Sequence, residues 1–438
     1  MKATPIQIGM IGLGTVGSGA YEILTKHREL LQQRVGASLH VKRIAVRSIS
    51  KQRVPPVPKN LLTTDVDAVW NDPEIKIVVE LMGGVREALA IARRAIAARK
   101  HIVTANKALL ALHGKELFEA AAKNGVDICF EASVCGGIPV LRALREGYVA
   151  NQIESLFGIV NGTCNYILTE MAEKGAAFAD VLAEAQKLGY AEADPSFDID
   201  GIDAAHKLAI LVQIAYGVNV DLKQIHVEGI RSLSPVDFAF ARRFGMEIKL
   251  LAIAKATEQG IQARVQPTLI PGNSMLAAVR GVYNAVLVHG DSVGQGMLYG
   301  RGAGGLPTAS AVVGDIVEVA RNILADVAYT VPPLGIHTTK VRGAKIAPLG
   351  SLKSPCYLRF QVIDRPGVLA KIAAILSNHG ISISSVYQQG QEHGKEVPIV
   401  VLTHEAVEKS IQAAIKKIDR LPGMQRKTTM IRIEENFR

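Results

Sequence analysis

The stretch "IQIGMIGLGTVGSG", residues 6–19, narrows the fold more than any other part of the chain. An apolar run ends at Gly12, and Gly14 and Gly17 follow in G-x-G-x-x-G spacing before a helical pattern begins. Gly12 permits a tight turn, Gly14 lets a pyrophosphate approach the backbone, and Gly17 lets helix and strand pack closely. A phosphate then rests on the unpaired N–H groups at the helix N-terminus. The alternation continues. Apolar runs at 40–47, 75–81, 101–105 and 126–132 are interleaved with helical patterns at 16–33, 86–99 and 114–125. Such an order needs crossovers and gives a parallel sheet with helices on both faces. The pattern predicts an α/β fold in which residues 1–132 form a Rossmann-type dinucleotide-binding domain, with Leu13 among the glycines of the cofactor loop.

Beyond residue 133 the pattern changes. Strands at 153–160 and 247–256 stand beside helices at 178–189 and 202–217, which predicts a mixed α+β domain over 133–305. The glycine-rich "GRGAGGLPTAS" opens a helix through 311–327, and residues from about 306 to 330 are expected to return to the first domain. Residues 331–350 lack periodicity and read as a linker. The remaining 351–438 read strand 356–363, helix 367–380, strands 381–390 and 396–404, helix 406–419 and a final strand near 424–433. That βαββαβ order is ferredoxin-like. A linker implies that this segment folds by itself, so a chain ending near Leu349 is expected to keep its activity.

Charge narrows the partners. The net charge is +10, but the basic residues fall in short pairs such as Arg93-Arg94 and Lys416-Lys417, without a basic arm or interleaved aromatics. This reads as a solvated surface and against nucleic acid, and it suits an acidic cofactor or substrate. No run approaches the ~18 apolar residues of a membrane span. The N-terminus reads as a first strand and not a signal peptide, which points to the cytoplasm. Cys129, Cys135, Cys164 and Cys356 show no C-x-x-C pair and read as free thiols of a reducing compartment. Cys135 as a nucleophile lacks a nearby His, and "NGT" at 161–163 reads as a turn.

Several side chains stand where chemistry is expected. The second strand ends in Arg47, where NAD enzymes carry an acid, so a 2′-phosphate and NADP are favoured over NAD. Asn106 and Lys107 follow a strand end, where ligands bind in such sheets. Glu131 also ends a strand, before a glycine turn, and its carboxylate with nearby carbonyls suits a hard cation. The densest cluster is "LGYAEADPSFDIDGIDAAHKLAIL", residues 188–211, with Glu192, Asp194, Asp198, Asp200 and Asp203 ahead of Lys207. Asp203 and Lys207 are one helical turn apart. Apolar neighbours predict a partly buried lysine, and five acids exceed what helix capping needs. The acids suit an ammonium group and the lysine a proton. His206 faces elsewhere and reads as structural.

With "TANKALL", "EASVCGGIPV", "GIVNGTCNYIL", the 188–211 block and "YGRGAGGLPTAS" in this order, the chain resembles homoserine dehydrogenases of the single-function bacterial type. The tail "VIDRPGVLAKIAAILSNHGISISSV" resembles an ACT domain, a class that binds amino acids as regulators. The resemblance implies interconversion of L-homoserine and L-aspartate 4-semialdehyde with NAD or NADP. It implies that Lys207 is the catalytic lysine, that Asp203 is its acidic partner at the substrate, and that Glu192 holds the substrate's amino group. It also implies Lys107 near cofactor and substrate, and Thr15, Val16, Arg47, Gly189 and Gly305 as further cofactor contacts. A sodium ion is implied at Glu131 with the carbonyls of Val134, Gly136 and Ile138. L-Threonine is the first candidate for the ACT domain, and a homodimer or homotetramer is expected. An amino-acid sensor with a retired catalytic half, or an oxidoreductase for a neighbouring amino-acid aldehyde, are the competing readings. Intact Lys107, Glu192, Asp203 and Lys207 speak against the sensor.

Overall fold

A computed structural model of the chain describes residues 4–337, 340–388 and 395–437. It divides into two compact units. One comprises Met1–Glu154, Ala204–Gln224 and Tyr283–Ala344, and the other Ser155–Asp203, Ile225–Val282 and Lys345–Arg438.

The first unit contains the predicted parallel sheet. Its strands run in the order Leu62–Thr63, Leu39–Ala45, Ile6–Ile11, Ile75–Glu80, His101–Thr104 and Ile128–Cys129. The order reverses beside Ile6–Ile11, and the crevice at such a switch point is where doubly wound sheets bind dinucleotides. The glycine loop leaves the C-terminal end of that strand. Ile8, Met10, Ile77, Val79 and Val103 form the sheet's buried face, and Ala309, Val312, Val313 and Ile316 of the helix Gly305–Leu324 cover it. Each such apolar side chain removed from water contributes about 1.5–3 kcal/mol. An antiparallel hairpin, Tyr283–Gly290 with Gly294–Arg301, also belongs to this unit; the sequence pattern left it unassigned.

Several elements differ from their predicted bounds, three of them for a visible reason. The helix expected over 16–33 is two, Thr15–Lys26 and Arg28–Val35. Thr25 Oγ1 donates back to Tyr21 O, a bond that bends helices. The helix expected from 114 begins at Lys107, because Asn106 accepts a hydrogen bond from Leu109 N–H and caps it. The strand expected over 126–132 is only Ile128–Cys129, since the chain turns at Glu131–Ser133.

The second unit is built on one sheet, in the order Ile153–Ile159, Met246–Thr257, Gly260–Pro271, Thr429–Ile433, Cys356–Ile363, Glu396–Thr403 and Ile383–Gln388. The last four strands, with the helices Val368–Asn378 and Glu408–Ile418, are the predicted βαββαβ module around its own apolar core. The module is not a separate body, however. Its final strand pairs in parallel with Gly260–Pro271 through Thr268↔Arg432 and Leu269↔Ile433.

Buried ion pairs fasten this seam. Arg432, 1% exposed, donates to both Glu408 and Glu228 at 2.6–2.9 Å. Arg264 and Lys255 both reach Glu434. Arg359 and Tyr357 donate to Asp237 at 2.6 and 2.9 Å. Four cations meet four acids, so each buried charge has a partner, as burial requires. The segment expected to follow a linker thus shares a sheet with the middle of the chain. Strand pairing between residues some 160 positions apart has no signature in local periodicity.

Candidate active site

The cofactor loop is shaped by backbone clearance. A Cβ on Gly12 would lie 2.5 Å from Leu81 O, and one on Gly17 would lie 2.4 Å from Gly12 O. Around Gly14 a Cβ would meet nothing within 4 Å. The first and third glycines are thus fixed by packing and the second faces open space, the cradle a pyrophosphate needs. Thr15 and Val16 open the helix that follows, and Leu13 packs against the core beneath. Gly305 closes in on this loop, since a Cβ there would stand 3.1 Å from Thr15 Cγ2. Arg47 is exposed just past the second strand. These residues fit a dinucleotide.

Next to the loop, a buried chain of hydrogen bonds sets Lys107. Glu80, 1% exposed, ends its strand and accepts from Thr104 Oγ1 at 2.6 Å and from Met82 N–H at 2.7 Å. Burial raises its carboxyl above the usual range, against both of these bonds. Thr104 Oγ1 accepts from Asn106 N–H, and Asn106 Nδ2 donates to Gly84 O. Lys107, partly buried, follows as the first helical residue. Glu80 carries no sequence signal of its own, since its partners Thr104 and Met82 are brought to it only by the fold.

The 188–211 block resolves into separate duties. Asp194 accepts from Ser196 N–H and starts a short helix, and Asp200 pairs with Arg231 through both carboxylate oxygens. Glu192 is exposed, and Gly189 adopts a φ of +74° on an exposed turn. Asp198 and Asp203 share a hydrogen-bond donor. Asn161 Nδ2 donates to Asp198 Oδ1 and to Asp203 Oδ2, each at 2.8 Å. Asn161 Oδ1 accepts from Cys164 N–H at 2.8 Å and caps the helix Gly162–Lys174. That last bond fixes which way the amide faces, so both of its N–H groups are directed at the carboxylates. Two of the five acids are gathered by a single asparagine.

Asp203, 3% exposed, lies in the first turn of the helix Ile202–Tyr216, and Lys207 is half-buried one turn later on that helix. Asn161 was missed because "NGT" reads as a turn. Its signal was the cap position before "CNYILTEMAEK", a helical pattern. The four cysteines are buried and none is in a disulfide among the described residues.

At the expected cation site, the Glu131 carboxylate accepts from Leu141 and Arg142 N–H at 2.8 and 2.7 Å. Its N–H donates to Asp315, which is fully buried. Burial raises the carboxyl of Glu131 in spite of those two N–H bonds. Val134 and Ile138 are buried, and Gly136 takes a positive φ where a Cβ would strike Gly302 O. Among the described residues, no group of three or more His, Cys, Asp or Glu could hold a metal.

Comparison with known proteins agrees with this geometry. Residues 12–131 match the family described as "Homoserine dehydrogenase, NAD binding domain", residues 139–317 match "Homoserine dehydrogenase", and residues 357–422 match "ACT domain". A homoserine dehydrogenase of Pseudomonas aeruginosa is 46% identical, over 98% of this chain and 99% of its own. The chain belongs to the homoserine dehydrogenase family. The family member of Bacillus subtilis is 40% identical over 100% of this chain and 99% of its own. The crystal structure of a homoserine dehydrogenase from Thiobacillus denitrificans superposes with a TM-score of 0.93 at 48% identity, covering 99% of both chains. A hyperthermophilic archaeal homoserine dehydrogenase, solved in complex with NADPH, superposes with a TM-score of 0.60 at 27% identity over 72% of this chain and 98% of its own. The chain is thus an NAD(P)-dependent oxidoreductase acting on CH–OH, with an ACT domain. No helix among the described residues is long and apolar enough to cross a membrane.

Proposed function

We propose that the chain interconverts L-aspartate 4-semialdehyde and L-homoserine, with Lys207 as the catalytic lysine, and that NADPH is its preferred reductant. The observation that carries this reading is the pinned pair Asp198 and Asp203, with Lys207 on the next turn of the Asp203 helix. When bound, the reduced nicotinamide supplies a hydride to the aldehyde carbon. Negative charge then develops on the aldehyde oxygen, where the Lys207 ammonium stabilises it and gives up a proton to form the alcohol. Asp203, held by the Asn161 N–H, is placed to offer that lysine a counter-charge. Lys107 acts as a second cation near cofactor and substrate, and Glu192 takes the substrate's ammonium group.

Gly12 to Gly17, with Gly189 and Gly305, hold the dinucleotide, and Arg47 reads the 2′-phosphate as an exposed cation with room for a doubly charged group. A sodium ion at the 131–138 turn would rest on the carbonyls of Glu131, Val134, Gly136 and Ile138, because both carboxylate oxygens of Glu131 already accept backbone N–H groups. The ACT domain confers feedback control by L-threonine, the assembly is a homodimer or homotetramer, and the compartment is the cytoplasm. The test follows NADPH absorbance with L-aspartate 4-semialdehyde and with its one-carbon-longer homologue. Rapid oxidation with the first and little with the second supports the reading; equal rates with both would overturn the substrate assignment.

A further inference from the structure

The second unit holds a cavity of about 350 Å³ that none of the residues above enters. It lies among the capped helix Gly162–Lys174, the helix Pro235–Arg243 and the start of the strand Met246–Thr257. Its volume falls within the ~300–1,000 Å³ typical of small-ligand sites. Leu168 and Phe238 give it an apolar wall, and Glu173, Glu247 and Arg280 form a charged rim.

The chemical interest is Lys249, 3% exposed on a central strand and lining this space. A buried ammonium has three hydrogens to satisfy. Among the described residues Lys249 Nζ donates to one acceptor, Val279 O, at 2.6 Å, and no carboxylate lies within ion-pair distance. That carbonyl does not need a lysine, since Asn165 Nδ2 also reaches it. Arg280, by contrast, is already paired with Glu173 at 2.5 Å. Glu247 has Arg280 only at 3.9 Å. A buried cation without a counter-ion is costly, and burial pushes the Lys249 ammonium down to about 8. Glu247 and Glu173 act on the Lys249 charge only at longer range, so what the cavity lacks is an anion in contact with Lys249, while Glu247 holds Arg280 only loosely.

We propose that this cavity is a second small-molecule site, which takes an aliphatic α-amino acid. The carboxylate sits on Lys249, the ammonium on Glu247 and Glu173, and the apolar side chain against Leu168 and Phe238. The site adjoins two helices with other duties. Thr169 and Glu173 line the cavity from the helix whose cap, Asn161, holds Asp203. Phe238 and Arg242 line it from the helix whose Asp237 and Phe240 contact Arg359, Tyr357 and Tyr387 of the C-terminal module. Occupancy therefore bears on both.

The test is calorimetry on the full-length enzyme with L-valine, L-leucine, L-isoleucine and L-methionine as probes. Lys249 lies outside the catalytic residues and the ACT domain, so loss of binding in its variant separates this site from those. At least one probe is expected to bind once per chain, at least about tenfold more weakly to Lys249→Met, the fold expected when a charge-assisted contact is lost. The wild-type enzyme, with no substitution to misfold, should also lose binding of that probe when its carboxylate is replaced by the amide. At pH 8 binding should take up protons, because a carboxylate favours charged Lys249, and heats in buffers of different ionisation enthalpy read this directly. Absence of binding by all four probes, or equal binding of acid and amide, overturns the proposal and leaves the semialdehyde activity as its own question.

Discussion

The Gly12–Gly17 turn and the Asn161–Asp203 corner both prepare the chain for ligands, but they are made in opposite ways. The turn is local: its three glycines lie within six residues, and what shapes it is missing side chains. The corner is assembled from residues 42 positions apart, and what shapes it is a single amide shared by two carboxylates. The seam of the C-terminal module extends the second kind of construction, with Arg432 and Glu228 separated by 204 positions. Backbone-built function is legible in a motif. Function built from distant side chains depends on the fold already being present.

The largest effect that separates the two kinds is deletion of residues 351–438. The deletion removes the partners of Asp237 and Arg264, both buried. Breaking one buried pair costs about 3–5 kcal/mol, and two exhaust much of the roughly 5–15 kcal/mol of a typical folded chain. A chain ending near Leu349 should be insoluble or lack a cooperative melting transition. A soluble, fully active truncated enzyme would restore the separately folding module.

Asn161→Ala should come next. It removes the shared donor and the helix cap together, so Asn161→Ser, which keeps a capping oxygen, is the sharper variant. Leaving a buried carboxylate without its donor costs about 1–3 kcal/mol, or roughly 10- to 100-fold in kcat/KM. The loss should fall on kcat and leave the dissociation constant for NADPH nearly unchanged, because Asn161 holds Asp203 and not the glycine loop. An unchanged kcat in a folded Asn161→Ser enzyme removes Asn161 from the positioning of Asp203.

These two cases show what the sequence disclosed and why the rest stayed hidden. The parallel sheet, the glycine loop and the βαββαβ order could be read because apolar periodicity and glycine spacing are properties of short windows. Asn161 was visible only as an "NGT" triplet, whose role depends on a helix following it and on two acids arriving from elsewhere. Within the crowded acids at 192–203, Arg231 takes Asp200 and a backbone N–H takes Asp194. Neither partner can be inferred from spacing. Lys249 went unnoticed for the same reason, since "EIKLLAIAKA" reads as an ordinary strand until its lysine is found facing a cavity.

Acid should loosen the seam more gently. Burial alone would raise the Glu228 carboxyl, but hydrogen bonds from His226 and Arg432 outweigh it and hold it at about 2, against 4.5 for the free group. Its stabilisation is therefore complete above pH 4.5 and fades as pH falls toward 2. Denaturant melts of wild type and Glu228→Gln should differ at pH 6 and converge near pH 2. A constant difference across that range would show that Glu228 is not held down by the seam.

The smallest expected effect returns to the backbone-built region. Arg47→Asp should lower the preference for NADPH over NADH by about tenfold or more, the equivalent of one charge-assisted contact, without affecting melting. Unchanged Michaelis constants for both cofactors would detach Arg47 from the 2′-phosphate.

The central functional claim is that Lys207 carries the chemistry while the glycine loop carries the cofactor. It is tested by titrating Lys207→Ala with NADPH by fluorescence and measuring its semialdehyde reduction on the same preparation, after a melting curve confirms folding. The account predicts a nearly unchanged dissociation constant with kcat lowered by about 100- to 1000-fold, the usual loss when one donor to a developing oxyanion is removed. A folded variant that turns over within tenfold of wild type would contradict it.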